Sequence, residues 1–264
     1  MYQHYLRKRR SVLNKYKSIF IYIIFAFAIP LICLAVMSIV PLHSGSGYFI
    51  LFGISAISPT SAALLTVSFF EREDSLVAFL KRCFTTYYNR RLCIFALIIP
   101  IIEIVIMQIL LRFSGNQFAL FREISFLQFL IVGYSLIAEE IGWRGFMQTR
   151  LDGLFPPFLT PLFIGIIWSL WHYHFYLIGS MTYPIHWFLI GCLADSYIYY
   201  WITKKANGNI VPASLLHFSY NLFSKLFFVS ESRNHSIYAY LVIASIVIAV
   251  FIILRTNFLR KAWI

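Results

Sequence analysis

Long apolar runs separated by short polar stretches set the pattern of this chain. Runs over 18–40, 48–70, 92–111, 124–147, 159–178, 183–202, 210–228 and 237–254 each reach the length of a membrane-crossing helix, about 20 residues. The polar breaks between them are short. Residues 41–47, 152–157 and 203–209 read as turns, the second ending in Pro156-Pro157 and the third centred on Asn207-Gly208-Asn209. Residues 114–123 and 231–236 read as outer loops. Pro30 is expected to kink the first helix. The segment 71–91 differs from the rest. It interleaves Leu76, Val77, Phe79, Leu80, Cys83 and Phe84 with Lys81, Arg82, Arg90 and Arg91, which suits a helix lying in the headgroup plane.

Composition agrees with this pattern. Of 264 residues, 60% are hydrophobic and 12% charged, with a mean hydropathy of +0.77. The expected class is an all-α polytopic membrane protein of about eight helices, one transmembrane domain over 1–264, with a multi-pass place in the cell membrane. The net charge of +12 would suggest nucleic acid in a soluble chain. Here Lys and Arg gather at helix ends, and all but Arg112, Arg122, Lys225 and Arg233 fall on the side of the N-terminus. That bias places both termini in the cytoplasm and leaves the lipid bilayer, not nucleic acid, as the partner. Cys33, Cys83, Cys93 and Cys192 show no CxxC pairing, so neither a disulfide nor a cysteine metal site is expected. The run 18–40 is too long for a signal-peptide core and reads as a retained first helix.

Polar residues inside apolar runs carry the candidate chemistry, because each costs several kcal/mol there unless paired or facing a polar cavity. Glu139 and Glu140 interrupt the fourth helix. Arg144 lies four residues after Glu140 and can neutralise it. Glu139 sits about 100° round an α-helix from Glu140, which leaves it free for chemistry. The fifth helix carries Trp168, His172 and His174, with Trp168 one turn before His172. The seventh carries His217 and Asn221 on one face. At about 1.5 Å per residue, Glu139 and Glu140 lie roughly 12–15 Å, His172 roughly 18 Å, and His217 and Asn221 about 10–17 Å from the cytoplasmic ends. One cavity could receive them all.

Such a set suits amide hydrolysis. A carboxylate takes a proton from water, a histidine binds that water, and a second histidine with an asparagine donates to the oxyanion. Glu139, His172 and His217 could equally ligate a divalent metal such as Zn²⁺. No HExxH or GxSxG motif is present. Each residue also has a plainer reading. Glu140 with Arg144 can be a packing ion pair, His172 can bond a backbone carbonyl, and His217 with Asn221 can join helices. His174 and His186 read as structural. Glu103, Asp195 and Lys225 could line a polar path, as in a transporter.

The spacing Glu139-Glu140-x-x-x-Arg144-Gly145, then Trp168-x-x-x-His172, then His217-x-x-x-Asn221 resembles the motifs of the CPBP (Abi) family, the CAAX-prenyl-protease and bacteriocin-processing intramembrane proteins. The likeness covers 126–228, helices 4 to 7. It implies an intramembrane endopeptidase that acts on a peptide or membrane-anchored protein, with its site opening toward the cytoplasm. It also implies that Glu139, His172, His217 and Asn221 form the catalytic group. The alternative is a non-proteolytic bacteriocin-immunity or scaffold protein of the same fold. In the family the second motif usually begins with Phe, where Trp168 stands here, and Asp195 occupies a place that is usually apolar.

Overall fold

The computed structural model describes residues 2–40, 45–71, 75–85, 89–116, 121–227 and 235–256; the side chains of 2–11, 46 and 235 lie outside that description. The expected loop over 231–236 falls largely outside it too. Twelve α-helices and one π-helical segment form the described structure, and no strand occurs among the described residues. The architecture is that of an all-α polytopic membrane protein.

α1 (Tyr2–Ile39) is far longer than its apolar part, which begins at Val12. α2 (Ser46–Ala56) and α3 (Ser58–Phe70) replace the expected straight second helix; they meet at 59° beside Pro59, whose ring fits the first turn of α3. α4 (Leu76–Thr85) is the helical part of the expected interfacial segment, with Phe79 and Cys83 turned inward and Lys81 and Arg82 exposed. α5 (Arg90–Phe113) starts at Asn89, whose side chain accepts from the Arg91 and Leu92 amides at 3.0 and 3.4 Å. α6 (Phe126–Ala138) starts with a capping box between Ser125 and Gln128. It runs into a π-helical segment (Ile141–Gln148) and the single turn α7 (Thr149–Leu151). α8 (Leu159–Trp171) and α9 (Tyr173–Leu177) are broken at His172, where a continuous helix was expected. α10 (Ile185–Lys205), α11 (Val211–Leu226) and α12 (His235–Arg255) complete the chain.

Among the described residues, four helices are individually long and apolar enough to cross a membrane: Val12–Ile39, Arg90–Phe113, Phe126–Leu151 and Ser236–Arg255; the bent α2–α3 pair, taken as one span, makes a fifth. The other three expected spans are α8–α9, α10 and α11. They are short, broken or carry Asp195 and the two histidines, and they are sheltered by the rest. α10 packs between α8 and α12, and α11 between α5 and α6. Polar residues are affordable where other helices, not lipid, surround them. The apolar helices do the facing: Phe20, Leu31, Phe95, Phe126 and Phe251 are exposed, as a lipid-contacting surface requires.

The core sits beneath the π-helical segment. Trp143, Phe146, Trp171 and Tyr22 are fully buried, and Tyr22 stacks on Phe146 with ring centres 4.9 Å apart. Gly142 lies directly on Pro59; a Cβ at Gly142 would come within 2.8 Å of the proline Cβ, which fixes α3 against this segment. The Thr60 hydroxyl donates to the Ile137 carbonyl at 2.9 Å, serving a backbone group near the point where the α-helical ladder gives way.

Candidate active site

The backbone changes its winding at the double glutamate. Glu139 has φ −126° and ψ −39°, and its carbonyl accepts from the amides of both Gly142 and Trp143. The wider π turns follow at once. Such turns inside α-helices gather at functional sites. The α-helical angle of about 100° between the two glutamates therefore does not hold, and both carboxylates reach one imidazole. His217 Nδ1 donates to Glu140 Oε1 at 2.8 Å, while its Nε2 stands 3.7 Å from Glu139 Oε1.

Glu139 is fixed from its other oxygen. Oε2 accepts from the Trp168 indole at 2.8 Å and the Trp143 indole at 3.2 Å. Oε1 is left toward His217 and the cavity. The sequence reading missed both indoles as partners of the acid. Trp143 stands at i+4 from Glu139, a legible spacing. Trp168 comes from another helix, one turn before His172. The rings of Trp168 and His172 do lie 5.6 Å apart. A phenylalanine in that place would offer no donor. Trp168→Phe is expected to keep the fold and lower the catalytic rate about tenfold, the worth of one hydrogen bond to a charged group at its lower end. Cleavage rates of the two proteins at equal membrane abundance check this.

His172 sits at the break between α8 and α9. Its Nδ1 is 2.7 Å from the Trp168 carbonyl, which can only accept, so Nδ1 carries the proton and the Nε2 lone pair is free to bind. Trp171 and Phe188 hold the ring, each 4.9 Å away.

Glu140 and Arg144 lie behind the site, both with no exposure. The expected ion pair is present, with Arg144 Nε 3.3 Å from Glu140 Oε2. Its angle is poor, and among the described residues none of the guanidinium nitrogens has a well-formed hydrogen bond. The charge rests instead over aromatic faces, 4.4 Å from the centre of the Tyr199 ring and 5.2 Å from that of Trp168.

A cavity of about 340 Å³ brings the candidates together. Glu139, His172, His217 and Asn221 all line it, and so do Asp195 and Lys225. Glu140 and Arg144 do not. Glu103 does not line it and accepts from the Ser245 hydroxyl at 3.2 Å. His174 is buried away from the cavity with Nδ1 2.9 Å from the Trp171 carbonyl, and His186 is exposed. All four cysteines are free and buried. Among the described residues, no three His, Cys, Asp or Glu side chains are grouped closely enough to hold a metal ion. Glu139, His172 and His217, the expected ligand set, all line the cavity. Glu139 Oε2 is held by two indoles and His217 Nδ1 by Glu140, which leaves Glu139 Oε1 and the Nε2 of each histidine as the atoms that could hold an ion.

The cavity extends toward the α9–α10 connection, with Ser180, Met181 and Tyr183 in its wall. Trp143, Phe146 and Met147, which follow Glu139 in the chain, are fully buried.

An acid held between indoles, and an imidazole held between two acids, form a polar pocket within a helical membrane bundle. Residues 121–223 match the family model described as type II CAAX prenyl endopeptidase Rce1-like. These residues are the ones whose motifs resemble the CPBP family. A protein of Methanococcus maripaludis named CAAX prenyl protease 2 is 28% identical over 106 residues, covering 36% of this chain and 39% of the relative. The chain thus matches well under half the length of that relative. The matched segment contains the π-helical segment and every residue of the acid–imidazole set.

Proposed function

We propose that this chain is an intramembrane endopeptidase of the CPBP type, a multi-pass protein of the cell membrane that cleaves a peptide or a membrane-anchored protein. The observation that carries the proposal is the meeting of Glu139, His172, His217 and Asn221, from three separate spans, on one cavity.

In this reading Glu139 Oε1 takes a proton from water while the His172 Nε2 lone pair orients that water. The water oxygen bonds to the scissile carbonyl carbon. Asn221 and His217 donate to the resulting oxyanion, a contribution often worth a few kcal/mol. His217 can donate through Nε2 when both ring nitrogens carry protons. The buried set of Glu139, Glu140, Arg144 and His217 then sums to zero formal charge, which a low-dielectric interior favours. Glu139 passes its proton to the leaving amine as the C–N bond breaks. No step needs a metal.

The test compares new protein termini in cells making the wild-type chain with those in cells making His172→Ala at equal abundance. Termini present with the first and missing with the second support proteolysis. Identical termini, with any immunity phenotype intact in both, would transfer the function to a non-proteolytic role.

A further inference from the structure

The two ends of the bundle differ in charge. At one end Arg150 pairs with Glu71, and Lys204 with Asp152 at 3.2 Å. The Asn209 amide donates to the Phe84 carbonyl at 3.1 Å, and the Ile210 amide to the Cys83 carbonyl at 2.9 Å. These contacts tie the end of α3, all of α4, α7, the end of α10 and the start of α11 into one face. Exposed Lys81, Arg82, Arg90 and Arg91 belong to the same face. The opposite face is marked by the Arg122 amide donating to the Leu226 carbonyl at 2.7 Å, and by the α9–α10 connection. Lys and Arg mark the cytoplasmic side of a membrane protein. The first face is therefore cytoplasmic and the second external.

The cavity belongs to the external half. Its wall is made from the α6 residues leading to Glu139, the α11 residues from His217 to Lys225, part of α2, and the connection 178–184. Among the described residues, none of α4 or α7 lines it. Ser180 lines the cavity and is exposed, so the cavity reaches the surface there. On the other side of Glu139 lie the packed Trp143, Phe146 and Met147.

We propose that the substrate bond reaches Glu139 from the extracytoplasmic side. The substrate class is then a peptide or anchored chain whose cleaved segment has already crossed the membrane, and not a protein presented from the cytoplasm. This rests on the endopeptidase reading for its substrate, but the direction of access is a property of the cavity alone.

Access is measured by labelling, without any assay of cleavage. The native cysteines are buried, so the unaltered chain is the blank. Ser180→Cys reports the cavity mouth and Thr85→Cys the basic face; both positions are exposed. Met181→Cys, at the adjacent lining position, replaces the first variant if it does not accumulate. A membrane-impermeant thiol reagent is applied to right-side-out and inside-out vesicles. The mouth variant is expected to react at least tenfold faster in right-side-out vesicles, and Thr85→Cys at least tenfold faster in inside-out ones. Reaction of the mouth thiol from the same side as the Thr85→Cys thiol overturns the proposal, and so does reaction from neither side. A chain that cleaves nothing still gives a clear labelling result, so loss of the endopeptidase reading and loss of this one are told apart.

Discussion

Glu139→Gln is expected to lower the cleavage rate by roughly a thousandfold, the middle of the range for a lost general base, while the protein accumulates normally. The structure explains why the two effects separate. The carboxylate does two jobs with two oxygens. Oε2 accepts from the Trp143 and Trp168 indoles, and a glutamine carbonyl has the two lone pairs needed to do the same. Oε1 faces His217 across 3.7 Å, and there the amide offers N–H groups that cannot take a proton from water. Glu139→Ala is the poorer experiment. It leaves two buried indole donors unmatched, each at about 1–3 kcal/mol, so a lost activity would mix chemistry with folding. The check is the initial rate of cleavage together with the amount of protein extracted from membranes. A glutamine variant with wild-type rate would remove the carboxylate from the reaction.

What the residue pattern revealed and what it hid follow from range. Apolar runs of about 20 residues determine a helix by themselves, so the all-α class and most helix positions were legible. His217 and Asn221 were placed on one face by helical spacing alone, and both line the cavity. The winding at Glu139 was not legible. A π turn depends on what packs against it, here Pro59 on Gly142 and Cys83 near Gly145, and both contacts come from segments more than 60 residues away. An α-helical wheel therefore sent the two glutamates apart, whereas the structure turns both to His217. The bend between α2 and α3 had a legible signal in Ser58-Pro59-Thr60-Ser61, whereas the break at His172 follows the tryptophan-rich run of α8 with no proline or glycine to mark it. The direction of the cavity is a property of how α2, α6, α10 and α11 diverge, and no motif encodes it. Motif residues named the chemistry; the side from which it is reached required the packing.

Arg144→Met has the largest expected effect on stability, a loss of about 3–5 kcal/mol, as when one partner of a buried ion pair is removed. Glu140 then keeps only the His217 Nδ1–H at 2.8 Å, and its Oε2 has no cation in a site with no exposure. The variant is expected to melt at a lower temperature in detergent and to accumulate less. Removing the second charge tests whether this cost is electrostatic. Glu140→Gln combined with Arg144→Met takes both charges out together, which is often nearly neutral for a buried pair, so most of the melting temperature should return. Activity should not return with it. The Glu140 carboxylate also holds the His217 ring through Nδ1 and balances its charge, and a neutral amide does only the first. If the double variant regained both melting temperature and cleavage, the pair would be a packing device alone, and the orientation of His217 would have to come from the Trp168 and Tyr199 rings that lie 6.1 and 6.0 Å from it.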